Sequence, residues 1–294
     1  MIRRYVIVNR VKVITDSTAD LSPELLERFD VEVIPLYVLF GDKSYLDGVE
    51  MTTDELYKWV EKTNTLPKTS APSFGDFYEV YSRWIQEGYD ILCITISSKL
   101  SATYQTACLI ADEFEKGRVW VLDSANLSTG IGLLTLKAAE LAQKGMGVAE
   151  IHEKITELTS RTRVSFIVDT LKYLHMGGRC NAVQLLASNA LKLRPQIIVK
   201  DGSMVVGSKY RGKRTNCLNE FYEDVVGDSS QINKERVFIT HSECAREELE
   251  DYKKRLEDIG IEEVLITKAG TVISSHCGQG TVGILYIADD VKKS

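Results

Sequence analysis

Across roughly the first 160 residues, short apolar runs rich in Val and Ile alternate with stretches in which apolar residues return every three or four positions. That alternation belongs to crossover units and predicts a mainly parallel sheet flanked by helices. The expected strands are Val11–Ser17, Val31–Phe40, Asp90–Ser98 and Arg118–Ser124. Helix starts are marked between them. Ser22, Pro23 and Glu24 supply a capping hydroxyl, a first-turn proline and an acid, and Thr52 with Glu55 makes a capping box. Ser73 caps a helix expected to bury Phe74, Phe77, Tyr81, Trp84 and Ile85, and Ser101 caps one expected to bury Tyr104, Ala107, Cys108, Ala111 and Phe114. The stretch from Met1 to Ser17 is interrupted by Arg10 and Lys12 and reads as strand, not as a secretory leader.

After a helix at Gly147–Ser160 the strand spacing changes. Arg163–Asp169, Arg194–Lys200, Ser203–Val206, Arg236–Ser242, Glu262–Ala269 and Gly283–Ala288 read as strands, with one long helix at Glu247–Ile259. Asp201-Gly202 is a two-residue hairpin signal, and a strand run is expected to start at Gly270 and end in Ser274–Gly278. The reading is therefore an α/β chain of two domains. Residues 1–162 form a parallel α/β domain, and residues 163–294 form an α+β domain with a largely antiparallel sheet.

Composition narrows the functional classes. The 294 residues are 44% hydrophobic and 27% charged, which is ordinary for a folded soluble protein. A net charge of -6 lacks the basic surplus that nucleic-acid backbones call for. No run approaches the length of a membrane-spanning helix. The six cysteines are scattered without a C-x-x-C pair, which argues against structural zinc and a disulfide framework and suggests a cytoplasmic setting.

Three motifs invite chemistry and fail on context. Gly278-Gln-Gly280-Thr-Val-Gly283 has dinucleotide-site spacing, but a strand is expected after it where that site needs a helix. Gly207 through Arg214 approaches a phosphate-binding loop, but Arg214 stands where a magnesium-ligating hydroxyl belongs. His276 next to Cys277 suggests a base and a thiol, yet sequence neighbours rarely meet in that geometry.

Strand ends are more informative. Asp16-Ser17, Ser97-Ser98 and Asp123-Ser124 end strands in small polar residues ahead of helix starts. Ligands of open parallel sheets bind at that edge, where helix N-termini offer unpaired N–H groups to anions. Ser101 is placed there as cap and ligand-facing hydroxyl, and Lys68-Thr69-Ser70-Ala71-Pro72-Ser73 adds further hydroxyls on an extended loop. Beyond residue 162, Arg179 after Gly177-Gly178 and His276 before Gly278 are the best-placed charged and titratable candidates.

Taken in order, Val13-Ile-Thr-Asp-Ser-Thr-Ala-Asp-Leu21, Thr69-Ser-Ala-Pro-Ser73, Ile96-Ser-Ser-Lys-Leu-Ser-Ala-Thr-Tyr104, Val121-Leu-Asp-Ser124, Gly177-Gly-Arg179, Lys209-Tyr-Arg211 and His276-Cys-Gly278-Gln-Gly280 resemble the DegV family of bacterial fatty-acid-binding proteins. Ala102 departs from the family's usual Gly, and Arg194-Pro195 from Lys-Pro. The resemblance implies a long-chain fatty acid in an apolar tunnel between the domains. Its carboxylate would be held by Thr69 and Ser101, with Ser70 and Ser98 adjacent. It also implies a separate ATP-dependent kinase that phosphorylates the bound carboxylate, no cofactor or metal of the chain's own, and a link to phospholipid synthesis. Arg179 and His276 would be cations supporting phosphoryl transfer, and Arg211 would face the kinase. Two alternatives stay open. One is a hydrolase or transferase using Ser101 or Cys277; the other is a carrier of a different small carboxylate or phosphorylated metabolite.

Overall fold

The structure, a computed structural model, describes residues 10–180 and 193–289. Strands β1 (Arg10–Asp16), β2 (Glu32–Ile34), β6 (Tyr89–Thr95) and β7 (Val119–Asp123) form a wholly parallel sheet in the order β2-β1-β6-β7. Residues 1–9 of the expected first strand lie outside the described residues.

The run expected as one strand from Val31 to Phe40 is two. Pro35 has no N–H to give a central ladder, and the chain leaves the parallel sheet there. It resumes as β3 (Tyr37–Phe40), which pairs antiparallel with β4 (Lys43–Leu46) and β5 (Lys68–Ser70) in a small third sheet. This sheet was not foreseen, and it carries Thr69.

From Thr162 onward the chain builds a six-stranded sheet in the order β10-β9-β8-β13-β11-β12, comprising β8 (Thr162–Ile167), β9 (Leu193–Lys200), β10 (Ser203–Arg211), β11 (Ile232–Ser242), β12 (Glu263–Lys268) and β13 (Thr281–Ala288). All its pairings are antiparallel except β11 with β12. Asp201 and Gly202 join β9 to β10 with φ of 50° and 76°, the left-handed pair that a tight hairpin turn requires.

The helices are α1 (Pro23–Phe29), α2 (Thr53–Thr63), α3 (Phe74–Gln86), α4 (Thr103–Ala111), α5 (Thr129–Gln143), α6 (Val148–Thr159), α7 (Lys172–Gly177), α8 (Arg214–Val226), α9 (Arg246–Asp258) and α10 (Thr271–Cys277). Ser22, Thr52 and Ser73 cap α1, α2 and α3 as expected, while Phe74 faces solvent instead of the core. Ser101 is not the cap of α4. Ala102 holds that position, and Ser101 accepts the Thr103 N–H from one residue further back. Helix α5 follows Asp123-Ser124, where a helix start but no extent was expected, and α10 replaces the strand expected from Gly270. Helix α5 is buried along Thr129–Leu136 and packs on β1 and β6 as well as on β8, β11 and β13, so one apolar core runs between the two large sheets.

Candidate functional site

A cavity of about 330 Å³ opens beyond the carboxyl ends of the parallel strands, where Ile96, Leu100 and Ser101 follow β6. Its wall is mostly apolar, with Leu127, Val164, Phe166, Leu174, Met204, Ile273 and Leu285 contributed from both sides of the core. Among the described residues lining it, Arg179 is the only Lys, Arg, Asp or Glu. Thr69, Ser70, Ser101, His276 and Cys277 also line it, so the structure brings together six of the residues singled out by sequence. Ser70, Ala102 and Arg179 are exposed, which puts this polar end at the protein surface. Ser98 does not line the cavity; its N–H is donated to the Asp123 carboxylate, 3.2 Å away. Arg211 ends β10, exposed and also outside the cavity wall.

The polar end is assembled from four elements. Strand β5 holds Thr69 by pairing it with Val38. The turn after β6 supplies Ser101, whose Oγ accepts from the Thr103 N–H at 3.3 Å and lies 2.8 Å from Thr103 Oγ1. Ala102 has φ of -76°, so its place needs none of glycine's backbone freedom. Helix α7 ends at Gly178 in the left-handed conformation, and Arg179 follows with its guanidinium donating back to the Gly177 carbonyl at 2.9 Å. Helix α10 brings His276, whose Nε2 lies 3.1 Å from Thr69 Oγ1. A Cβ at position 177 would come within 2.5 Å of His276 Nδ1, so only glycine lets the imidazole sit against α7.

Electrostatics correct one expectation. His276 is not a cation near neutral pH, because burial and, secondarily, the positive charge of Arg179 lower its pKa to about 4. Its Nδ1 is buried without a hydrogen-bond partner. Cys277 lines the cavity, but burial pushes its thiol up to about 12, far from a thiolate nucleophile. Ser101 is bonded to Thr103, and among the described residues no base partners it. The two other motifs also fail structurally. Gly207–Arg211 is strand, and Gly278 ends a helix ahead of a strand, the reverse of a dinucleotide site.

Sequence reasoning missed three buried carboxylates beside the cavity: Asp16, Asp20 and Asp47. Asp16 accepts from the N–H groups of Ile96 (2.8 Å) and Thr18 (3.0 Å), and burial raises its pKa to about 6. Burial raises Asp47 as well, and raises Asp20 strongly. Asp16 and Asp20 stood inside the first motif, but nothing in the spacing says that they are buried or what they bond.

Comparison with known proteins adds the lineage. Residues 10–289 match a family described as "Uncharacterised protein, DegV family". A DegV domain-containing protein of Clostridium perfringens is 34% identical over 285 residues, which is 96% of this chain and 100% of that one. A DegV family protein of Thermus thermophilus, described by its fatty acid binding, superposes with a TM-score of 0.88 at 32% identity, covering 95% of this chain and 100% of that chain. A stearic-acid-binding protein of Eubacterium ventriosum superposes with a TM-score of 0.82 at 28% identity, covering 95% and 98%.

Proposed function

The chain belongs to the DegV family, and from that premise we propose that it carries a long-chain fatty acid whose carboxylate it presents to a separate kinase. The observation that carries this reading is the character of one cavity: its wall is mostly apolar, and Thr69, Ser70, Ser101, His276 and Arg179 gather at its solvent end. An alkyl chain gains about 0.8 kcal/mol for each CH₂ taken out of water, and a carboxylate needs donors where the chain stops.

The hydroxyls are prepared as donors. The neutral His276 ring, with its proton on Nε2, donates to Thr69 Oγ1 and leaves the Thr69 O–H free for the carboxylate. Ser101 Oγ accepts from the Thr103 N–H, and with Thr103 Oγ1 donating in the hydroxyl pair the Ser101 proton is free in the same way. Ser70 stands at the mouth beside Thr69, and Ser98 acts one step back, in the turn that presents Ser101. Neutral donors bind the charge without burying a counter-cation, and Arg179 waits at the exposed mouth for the greater charge of a transferring phosphoryl group. Arg211, exposed at the end of β10, is assigned to kinase docking.

Organic extraction of the purified protein followed by mass spectrometry tests the reading. The expected result is a long-chain fatty acid at close to one per chain. A water-soluble metabolite, or no ligand after repeated preparations, overturns it.

A further inference from the structure

Helix α10 is seven residues long, about 10 Å, and too short to hold its own shape. Its N-cap position is Gly270, which has no side chain to cap with. The cap comes instead from carboxylates more than two hundred residues away. Asp47 Oδ1 accepts the N–H groups of Thr271 (2.7 Å) and Val272 (3.1 Å), and Asp20 Oδ1 accepts that of Gly270 (2.8 Å). No ion pair to either acid is found among the described residues; both are held by neutral donors, the first turn of α10 together with the Ser17 and Ser128 hydroxyls. Their second oxygens reach other parts of the cavity wall. Asp47 Oδ2 accepts from Ser17 Oγ (2.8 Å), which in turn accepts the N–H of Leu36, and Asp20 Oδ2 accepts from Ser128 Oγ (2.5 Å). Leu36 and Ser128 both line the cavity.

We propose that Asp47, with Asp20, is a positioning residue for the carboxylate site: it clamps the first turn of α10 and thereby sets the His276 ring, at the other end of that helix, against Thr69. This rests on the fatty-acid reading only for its effect on affinity. The geometry of the ring can be read without ligand. An N–H acceptor is what the position demands, and an amide oxygen supplies one as a carboxylate does. The clamp also ties the parallel and small sheets to the six-stranded half through main-chain groups, so release of α10 exposes His276 to water.

The test follows the His276 ring by NMR in ligand-free protein, labelled at histidine and assigned with His276→Gln, alongside binding of a fluorescent long-chain fatty acid. In Asp47→Ala the ring should titrate well above about 4, toward the ordinary histidine value, and affinity should fall about tenfold. Asp47→Asn should restore both to near the wild-type values. A folded Asp47→Ala whose ring titrates as in wild type overturns the proposal. Should that variant fail to fold, Gly270→Ala decides. Its backbone φ of -65° suits alanine, while the new Cβ sits 3.2 Å from Asp47 Oδ1 and 3.3 Å from Asp20 Oδ1 and crowds the clamp without removing it. Displaced His276 resonances in Gly270→Ala support the clamp; unmoved ones refute it. If wild type binds no fatty acid, the carrier reading fails and the ring titration still judges the clamp.

Discussion

Ser101 was legible in the sequence as a hydroxyl at a strand edge and Thr69 as one on an extended loop, and the structure adds their neighbours, His276 for Thr69 and Thr103 for Ser101. A hydrogen bond to a charged group contributes about 1.5–3 kcal/mol, so Thr69→Ala or Ser101→Ala should weaken fatty-acid binding roughly ten- to hundredfold. Titration calorimetry checks this, with melting curves to separate any loss of the Ser101 to Thr103 bond. Unchanged affinity in both folded variants would remove the carboxylate assignment. The neutrality of His276 was not legible, because it depends on burial and on Arg179 across 97 residues of sequence. The same holds for Asp16. Its folded pKa of about 6 lies above the ordinary Asp value of 3.8, so the protonated form is favoured by folding. Its contribution is fully present below the unfolded value and is lost as pH rises through about 6, at a cost of about 3 kcal/mol by neutral pH. His276 runs the other way, its contribution present above about 6.5 and lost as pH falls toward 4. A difference measurement isolates Asp16: between pH 7.5 and 4.5, wild type should gain about 2 kcal/mol relative to Asp16→Asn in urea unfolding. A parallel pH dependence in the two proteins would show that Asp16 is not held this way.

At the level of elements, legibility tracks how local the signal is. Helices α1, α2 and α3 carry their caps within three residues of the first turn, and the sequence marks them. Helix α10 borrows its cap from Asp20 and Asp47, so the sequence around Gly270 shows only a glycine and a β-branched run, and strand is the natural misreading. Helix α5 fails differently. Thr-Gly-Ile-Gly-Leu-Leu-Thr-Leu from Thr129 to Leu136 is buried on every side, and a helix without a polar face has no amphipathic period to detect. Burial between two sheets makes it a sensitive element. Leu134→Ala, at a fully buried position, should cost about 2–5 kcal/mol and lower Tm by roughly 5–15 °C. A change of a degree or less by calorimetry would mean that α5 does not hold the two sheets together. Within the six-stranded sheet the β9–β10 pairing was legible because the Asp201-Gly202 turn is local, whereas the split at Pro35 shows one residue overriding an apolar run.

At the scale of the whole molecule, one mostly apolar cavity is lined by residues from both halves of the sequence and has its polar end at the surface, as the proposed carrier would need. The six-stranded sheet begins with β8 at Thr162, yet one core cluster contains Val13 and Leu92 as well as Phe238 and Leu285, so the two domains stand as a proposal about organisation, not as independently folding pieces. On the proposed carrier reading, a partner supplies the chemistry. Neither glycine motif forms a nucleotide site, and the isolated protein should therefore leave ATP unhydrolysed. With a cognate kinase, acyl phosphate should form on the bound ligand. Arg179→Ala should then keep its fatty acid and slow transfer, because an exposed cation at the mouth acts on charge that develops during the reaction, not on the resting carboxylate. His276→Ala should differ by losing affinity first, since its neutral ring supports Thr69 in the ground state. Arg211→Ala should raise the carrier concentration needed for half-maximal rate, and added salt should shrink the difference from wild type, as for a surface docking charge. Single-turnover transfer assays with occupancy measured by mass spectrometry separate these outcomes. Loss of ligand from Arg179→Ala with normal transfer per bound acid would move Arg179 into the holding site, and ATP turnover by the chain alone would end the carrier reading.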